Sequence, residues 1–321
     1  MLKITRGDKE FFLRAYQQGD EKQIISLISE FLGTNETLAH WQWKYLTLPA
    51  GSLIILATDT HGTIIGHMGF QRKKGWYYGA EYLFYISEDV VMKPKYRGYG
   101  LFGSSPLLLP SKDFIILGFP NEAALHAYKK FPIDYSNNFF FVRVPVFTKT
   151  LHYNLWKHRP WKKRATNSIE IRKIEITKLD LLDRLWEEKK DELNTSVIRD
   201  AQYLKWRMFD CPREITLYEL RAGERCIGYF SITIREKVCF VTDILVLNAH
   251  LIPMLIECIE DLVYSLNTHM IQLMINDKVI SSLLREMRYS MREEIICTHF
   301  NIIEQGKNFS SYLTYSDTDL F

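Results

Sequence analysis

The segment best suited to chemistry is VVMKPKYRGYGLFG, residues 90–103. A β-rich run and a proline lead into Arg97-Gly98-Tyr99-Gly100, which opens an apolar stretch. Glycines at such a turn let backbone N–H groups approach a ligand, and a helix start behind them adds the positive end of its dipole, so that together they form a phosphate cradle. Arg97 can add a charge-assisted contact to the same anion. Taken alone, the pattern also fits a plain strand-to-helix turn. Downstream, the strand-like FIILGF is followed by Asn121, placed to start a helix, and by Tyr128 two turns along it. Asn121 reads equally as an ordinary N-cap, and Tyr128 as a half-buried packing residue.

Elements must hold these residues in place, and an internal repeat organises them. HWQWKYLTLPAGSLIILATDTHGTIIGHMGF from His40 is answered by YLKWRMFDCPREITLYELRAGERCIGYFSI from Tyr203. Trp43 and Pro49 match Trp206 and Pro212 at one offset, and Gly66 matches Gly228 with one residue fewer. Asp89-Val90-Val91 then answers Asp243-Ile244-Leu245, and Asn121-Glu122 answers Asn276-Asp277. Each copy reads as helices, a strand meander, then alternating helix and strand. In the first copy, Ile24, Ile25, Leu27, Ile28, Phe31 and Leu32 recur at helical spacing up to Gly33, and a second helix is expected over 36–46. SLIILAT, TIIGHMGFQRK and AEYLFYISEDVVM read as strands, with turns at Asp59–Gly62 and near Gly75-Trp76. The second copy predicts helices at about 180–193, 200–209, 251–267 and 278–287, with strands between them. The expected organisation is a first domain over 1–150, a basic linker over 151–168 and a second domain over 169–321.

At Arg97-Gly98-Tyr99-Gly100-Leu101-Phe102, Asn121 and Tyr128 the chain resembles the GNAT acyltransferase superfamily. The family's main motif, Arg/Gln-x-x-Gly-x-Gly/Ala, binds the pyrophosphate of acyl-coenzyme A. The resemblance covers the first copy to about residue 147 in motif detail and the second in architecture only. It implies an α/β fold of two tandem GNAT-like domains, each a mixed, mostly antiparallel twisted sheet flanked by helices. It implies that Arg97, Gly98, Tyr99, Gly100 and Leu101 hold the pyrophosphate, that Asn121 holds the pantetheine and that Tyr128 protonates the leaving thiolate. The strand over Asp89–Met92 would splay from its neighbour and offer backbone groups. Four features depart from the pattern. Phe102 replaces a small residue, Pro132-Ile133 stands where Gly-Phe is usual, 20 residues separate Gly100 from Asn121, and Pro106 and Pro110 cut the intervening helix to about two turns.

A GNAT reaction is direct attack of an amine on a thioester, which needs a base, an oxyanion donor and an acid. Glu81, Glu88, Asp89 and His67 are base candidates. Strand alternation puts Glu88 with Val90 and Met92 on one face and Asp89 with Val91 on the other. Glu88 is preferred, because Asp243 repeats Asp89 in a half that lacks the loop, which marks a structural aspartate. The oxyanion donor is expected to be the backbone N–H of Val91 or Met92. After Asp243 the second copy runs ILVLNAHLIPML without Arg-x-x-Gly, so it is expected to bind no coenzyme A and to wall a substrate cleft. Trp41, Trp43, Trp76, Tyr77 and Tyr78 could line that cleft, but core packing explains most of them better.

Composition sets the remaining bounds. A chain of 321 residues fits two domains, and 47% apolar with 25% charged residues excludes a disordered chain. A net charge of +3 gives no duplex-wide phosphate footprint, so nucleic acid is not expected as a partner. The linker's Lys157, His158, Arg159, Lys162, Lys163 and Arg164 read as a solvated connector, with an anion patch as the alternative. Five cysteines without a C-x-x-C pair, no signal-like N-terminus and no run of 18 apolar residues imply a cytoplasmic protein that does not span a membrane. No metal-ligand spacing and no nucleophilic triad appear. The function expected is transfer of an acetyl or other acyl group from acetyl-CoA (acyl-CoA), without a metal, to the primary amine of a small molecule such as an amino sugar, by a monomer or homodimer. The alternatives are a Fem-like aminoacyltransferase using another donor and a non-catalytic binding module.

Overall fold

The computed structural model describes residues 1–103, 115–122, 124–125, 139–151, 169–301 and 311–318. They form two compact units that are discontinuous in sequence: Met1–Gly75, Glu81–Val142 and Cys297–Asn308 make the first, and Trp76–Ala80, Arg143–Ile296 and Phe309–Phe321 the second. The contiguous split expected at 150 and 169 is therefore corrected. Its reason is strand pairing. A short strand leaves backbone donors and acceptors open on both edges, and each unit fills such an edge with a segment distant in sequence.

In the first unit, β1 (Leu2–Arg6) and β2 (Lys9–Ala15) form an N-terminal hairpin that the helix-first reading did not anticipate. Alternation accounts for it: Ile4, Phe11 and Leu13 are buried on one face, while Lys3, Thr5 and Glu10 are exposed and Phe12 and Arg14 half-buried. Helices α1 (Glu21–Leu32) and α2 (Leu38–Tyr45) follow, then β3 (Ser52–Thr58), β4 (Ile64–Tyr77), β5 (Ala80–Met92) and β6 (Ile115–Gly118). The turn between β4 and β5 lies at Tyr78-Gly79, three residues beyond its expected place. Strand order is β1-β2-β3-β4-β5-β6, and the other edge of β6 is taken by Thr298–Asn301, the end of β14 (Ser290–Asn301). β1–β2, β2–β3, β3–β4 and β6–β14 pair antiparallel; β5–β6 is parallel. Side chains of α1 at i, i+3 and i+4 (Ile24, Leu27, Ile28) pack with Trp41, Tyr45, Ile54, Leu56, Ile64 and Val91 on one face of the sheet. Each buried aliphatic there contributes about 1.5–3 kcal/mol. The other face carries Phe11, Ile55, Ala57, Met68, Phe70 and Leu101.

The second unit holds β7 (Phe139–Thr150) from Arg143 on, β8 (Ile169–Lys173), α3 (Asp180–Lys189), β9 (Thr195–Val197), α4 (Ala201–Leu204), β10 (Thr216–Ala222), β11 (Arg225–Arg235), β12 (Val238–Val246), α5 (Ile252–Ser265), β13 (Met270–Met274) and α6 (Lys278–Glu286). Its sheet order is β7-β13-β12-β11-β10-β8, with β12–β13 its parallel pair. The helices fall close to the ranges that periodicity predicts. Among the described residues no helix is long and apolar enough to cross a membrane. All five cysteines are free thiols.

Candidate functional site

Glu88, Asp89, Val91, Met92, Arg97–Leu101 and Asn121 lie in the first unit, where β5 and β6 part. Their parallel ladder runs from Phe84–Ile115 to Ser87–Gly118 and stops. β5 continues through Glu88–Met92, and among the described residues no strand extends the ladder beside it on that edge. β6 meanwhile gives way to Pro120 and Asn121. Backbone groups of a strand that outruns its partner are open to an extended ligand.

Asp89 breaks the pleat. Its φ is +50°, a left-handed conformation that aspartate tolerates better than most residues. The alternation that assigned Glu88 and Asp89 to opposite faces fails at this residue. Both carboxylates reach the same ammonium instead, with Lys44 Nζ 3.0 Å from Glu88 Oε2 and 2.9 Å from Asp89 Oδ2. Lys44 is buried on the stripe of α2 that also buries Trp41 and Tyr45. The Tyr45 hydroxyl donates to Asp89 Oδ2 at 2.7 Å, and its ring covers Gly69, where a Cβ would collide with it. Burial, then the charge of Asp89, pushes the Tyr45 phenol well above its usual pKa, so it remains a donor.

His67 completes the group. Its Nδ1 lies 2.8 Å from the Asp89 carbonyl oxygen, which can only accept, so the proton sits on Nδ1 and Nε2 carries the lone pair. Nε2 is buried without a partner among the described residues. Burial lowers the pKa of this fully enclosed imidazole and keeps it neutral.

The other predicted residues fall around the parting of the strands. Val91 is buried against α1 and α2, while Met92 is partly buried on the opposite face, against Gly66. Arg97 is exposed, and its Nε donates to the Met92 carbonyl at 3.1 Å, tying the loop to the end of β5. Gly98 and Gly100 have φ of +87° and +63° with open space where a Cβ would be, so the loop takes left-handed turns and leaves its backbone accessible. Tyr99 packs at a tilt against Phe11, their centroids 5.1 Å apart. Leu101 is buried in the core, which leaves only its backbone to a ligand. Asn121 is exposed, and its Oδ1 accepts from the Ala124 N–H at 2.9 Å, the geometry of an N-cap. Tyr128 lies outside the described residues, as do Pro106, Pro110, Pro132, Ile133 and linker residues 152–168. Trp41, Trp43, Trp76 and Tyr77 are buried, while Tyr78 is exposed.

The second unit provides a comparison. Asp243, which answers Asp89, accepts from Tyr229 Oη and Thr314 Oγ1, both at 2.8 Å, and from Arg199 Nε at 3.1 Å. A cation and a tyrosine thus surround the aspartate in both halves. Thr242 stands where the first copy has Glu88, and its hydroxyl meets that of Ser231 at 2.6 Å. The carboxylate at 88 is thus particular to the half with the glycine loop. Sequence reasoning passed over Lys44 and Tyr45. The signal was present, because Lys44 follows Trp43 on the apolar stripe of a helix and Arg207 follows Trp206 at the same offset, both buried.

Solved structures resemble this chain over most of its length. A conserved Enterococcus faecalis protein of unknown function, named a probable N-acyltransferase, superposes with a TM-score of 0.67 at 13% identity, over 90% of this chain and 71% of its own. A GCN5-related N-acetyltransferase from Anabaena variabilis gives 0.61 at 12%, over 91% and 73%. The fold is that of the GNAT superfamily. Saccharomyces cerevisiae N-myristoyltransferase with bound myristoyl-CoA gives 0.59 at 11% identity, over 91% and 79%. No family model and no curated protein matches the sequence. Because these superpositions cover at least nine-tenths of the chain, the GNAT likeness extends beyond the segment that carries the glycine loop.

Proposed function

We propose that the first unit transfers an acyl group, acetyl in the first instance, from acyl-coenzyme A to the primary amine of a small molecule, with amino sugars as the first class to try. One observation carries the reading: the β5–β6 ladder stops at Ser87–Gly118, and the strand that outruns it leads within a few residues to an open loop with two left-handed glycines. An open strand edge suits the amide-bearing pantetheine, and a loop of accessible N–H groups suits a pyrophosphate. Gly98, Tyr99, Gly100 and Leu101 would offer backbone N–H groups and Arg97 its guanidinium, while Asn121 and the edge beside Val91 and Met92 would hold the pantetheine.

In the reaction proposed, Glu88 takes a proton from the ammonium, and the freed amine attacks the thioester carbon. The N–H of Val91 or Met92 donates to the oxyanion, the C–S bond breaks, Tyr128 protonates the thiolate, and the proton that the new amide nitrogen gives up returns Tyr128 to its phenol form. Thr242 at the matching position of the second unit supports the choice of Glu88, because a threonine there supplies no base. Lys44, 3.0 Å from its carboxylate, would hold Glu88 aligned between turnovers.

The test is calorimetric titration of the whole chain with coenzyme A, acetyl-coenzyme A and myristoyl-coenzyme A, followed by an amine panel read by release of free thiol. Binding in the micromolar range at about one site per chain, with thiol release on adding an amine, supports the reading. A folded protein that binds none of the three refutes it.

A further inference from the structure

The hairpin β1–β2 grips the glycine loop across about ninety residues of sequence. Arg6 Nε donates to the Tyr99 carbonyl at 3.1 Å, and Lys9 Nζ donates to the Tyr99 hydroxyl at 2.7 Å. The ring of Phe11 meets Tyr96 edge-on, at 6.0 Å between centroids, and Tyr99 at 5.1 Å, while Leu101 is buried in the same apolar cluster as Phe11. The loop is therefore held on both sides of Gly100.

What the hairpin fixes is a peptide plane. In a trans peptide the C=O and the N–H point in opposite directions. With the Tyr99 carbonyl turned to Arg6, the Gly100 N–H is turned away from the hairpin. Glycine tolerates either sign of φ, and among the described residues no atom beyond the chain neighbours lies within 4 Å of where a Cβ at Gly98 or Gly100 would be. The loop's own sterics therefore do not choose between this peptide orientation and its reverse. Arg6 does. In the reversed orientation the Tyr99 carbonyl would replace the Gly100 N–H on the open side, presenting an acceptor to any anion there instead of a donor.

We propose that Arg6 is a positioning residue which, by holding the Tyr99 carbonyl, sets the Tyr99–Gly100 peptide in the orientation that binds the pyrophosphate of coenzyme A. This rests on the acyl-coenzyme A reading above. Arg6 acts through the loop: its Nε is committed to the Tyr99 carbonyl, and its Nη1 donates to the Thr5 carbonyl at 3.2 Å.

The experiment compares coenzyme A affinity and thermal midpoint for the wild type, Arg6→Met and Arg6→Gln. Arg6 is exposed, so both variants keep the fold. Methionine keeps the stem and removes the donors; glutamine restores a neutral donor without the charge. The expected result is a Kd raised about tenfold in Arg6→Met, the scale of one lost charge-assisted hydrogen bond. Arg6→Gln should return to within about threefold of the wild type, with the thermal midpoint constant across the three. An unchanged Kd in Arg6→Met overturns the inference. So does an Arg6→Gln variant as weak as Arg6→Met, since the guanidinium would then act through its charge. A wild type that binds no coenzyme A overturns the acyl-coenzyme A reading itself, and the inference with it.

Discussion

Lys44→Met is the most informative single perturbation of the candidate site. The ammonium lies 3.0 and 2.9 Å from two carboxylates and is almost wholly removed from solvent, as are Glu88 and Asp89 to within 9% and 12% of their side-chain surface. At those separations and an effective dielectric of about 20, each contact carries a gross attraction of roughly 5–6 kcal/mol, much of which offsets the desolvation of the charges. Methionine fills a similar volume, so the loss is electrostatic: two neighbouring buried carboxylates lose the cation that both touch. Removing one partner of a buried ion pair costs about 3–5 kcal/mol. For a unit of roughly 150 residues that is a fall of about 10 °C in thermal midpoint. Urea unfolding followed by tryptophan fluorescence measures the loss directly. The triple change Lys44→Met, Glu88→Gln, Asp89→Asn removes the charges together, and it should recover most of the stability because the Tyr45 hydroxyl keeps an acceptor at position 89. A loss below about 1 kcal/mol in Lys44→Met, or a triple variant no more stable than the single one, would refute the view that Lys44 holds these two carboxylates together.

Further outcomes test the remaining roles. Arg97→Ala should weaken coenzyme A binding about tenfold with little change in stability, since Arg97 is exposed; unchanged affinity would put the pyrophosphate elsewhere. Tyr128→Phe should lower turnover at least about a hundredfold while leaving coenzyme A affinity near the wild-type value, and equal turnover would remove this hydroxyl from the mechanism. His67 predicts a pH dependence of stability. Its folded pKa lies below the ordinary 6.5, so the unfolded chain binds the extra proton, and stability present above about pH 6.5 is lost as pH falls through the folded value. Stability should rise with pH in that window and the rise should flatten in His67→Gln; an equal rise in the variant would exclude His67 as its source.

Much of the fold was legible because it rests on local periodicity. Ile24, Leu27 and Ile28 mark α1, Gly33 ends it, and the runs at 52–58 and 80–92 are strands as their composition requires. What was not legible depends on partners distant in sequence. The assignment of Cys297–Asn308 to the first unit follows from which strand edges are left open, and no residue within 297–308 records that. The left-handed residue at 89 is similar. Its sequence, SEDVVM, holds no glycine or proline to mark a break, and the positive φ at 89 goes with contacts from Lys44, Tyr45 and His67 that lie distant in sequence. Alternation would have separated Glu88 from Asp89, whereas the left-handed turn of the backbone at Asp89 lets one buried lysine hold both. The second unit retains a cation and a tyrosine around Asp243 but carries Thr242 where Glu88 stands. The shared part of the arrangement is therefore what the fold needs, and the part that differs, a carboxylate beside an open strand edge and a glycine loop, is where the chemistry has to be sought.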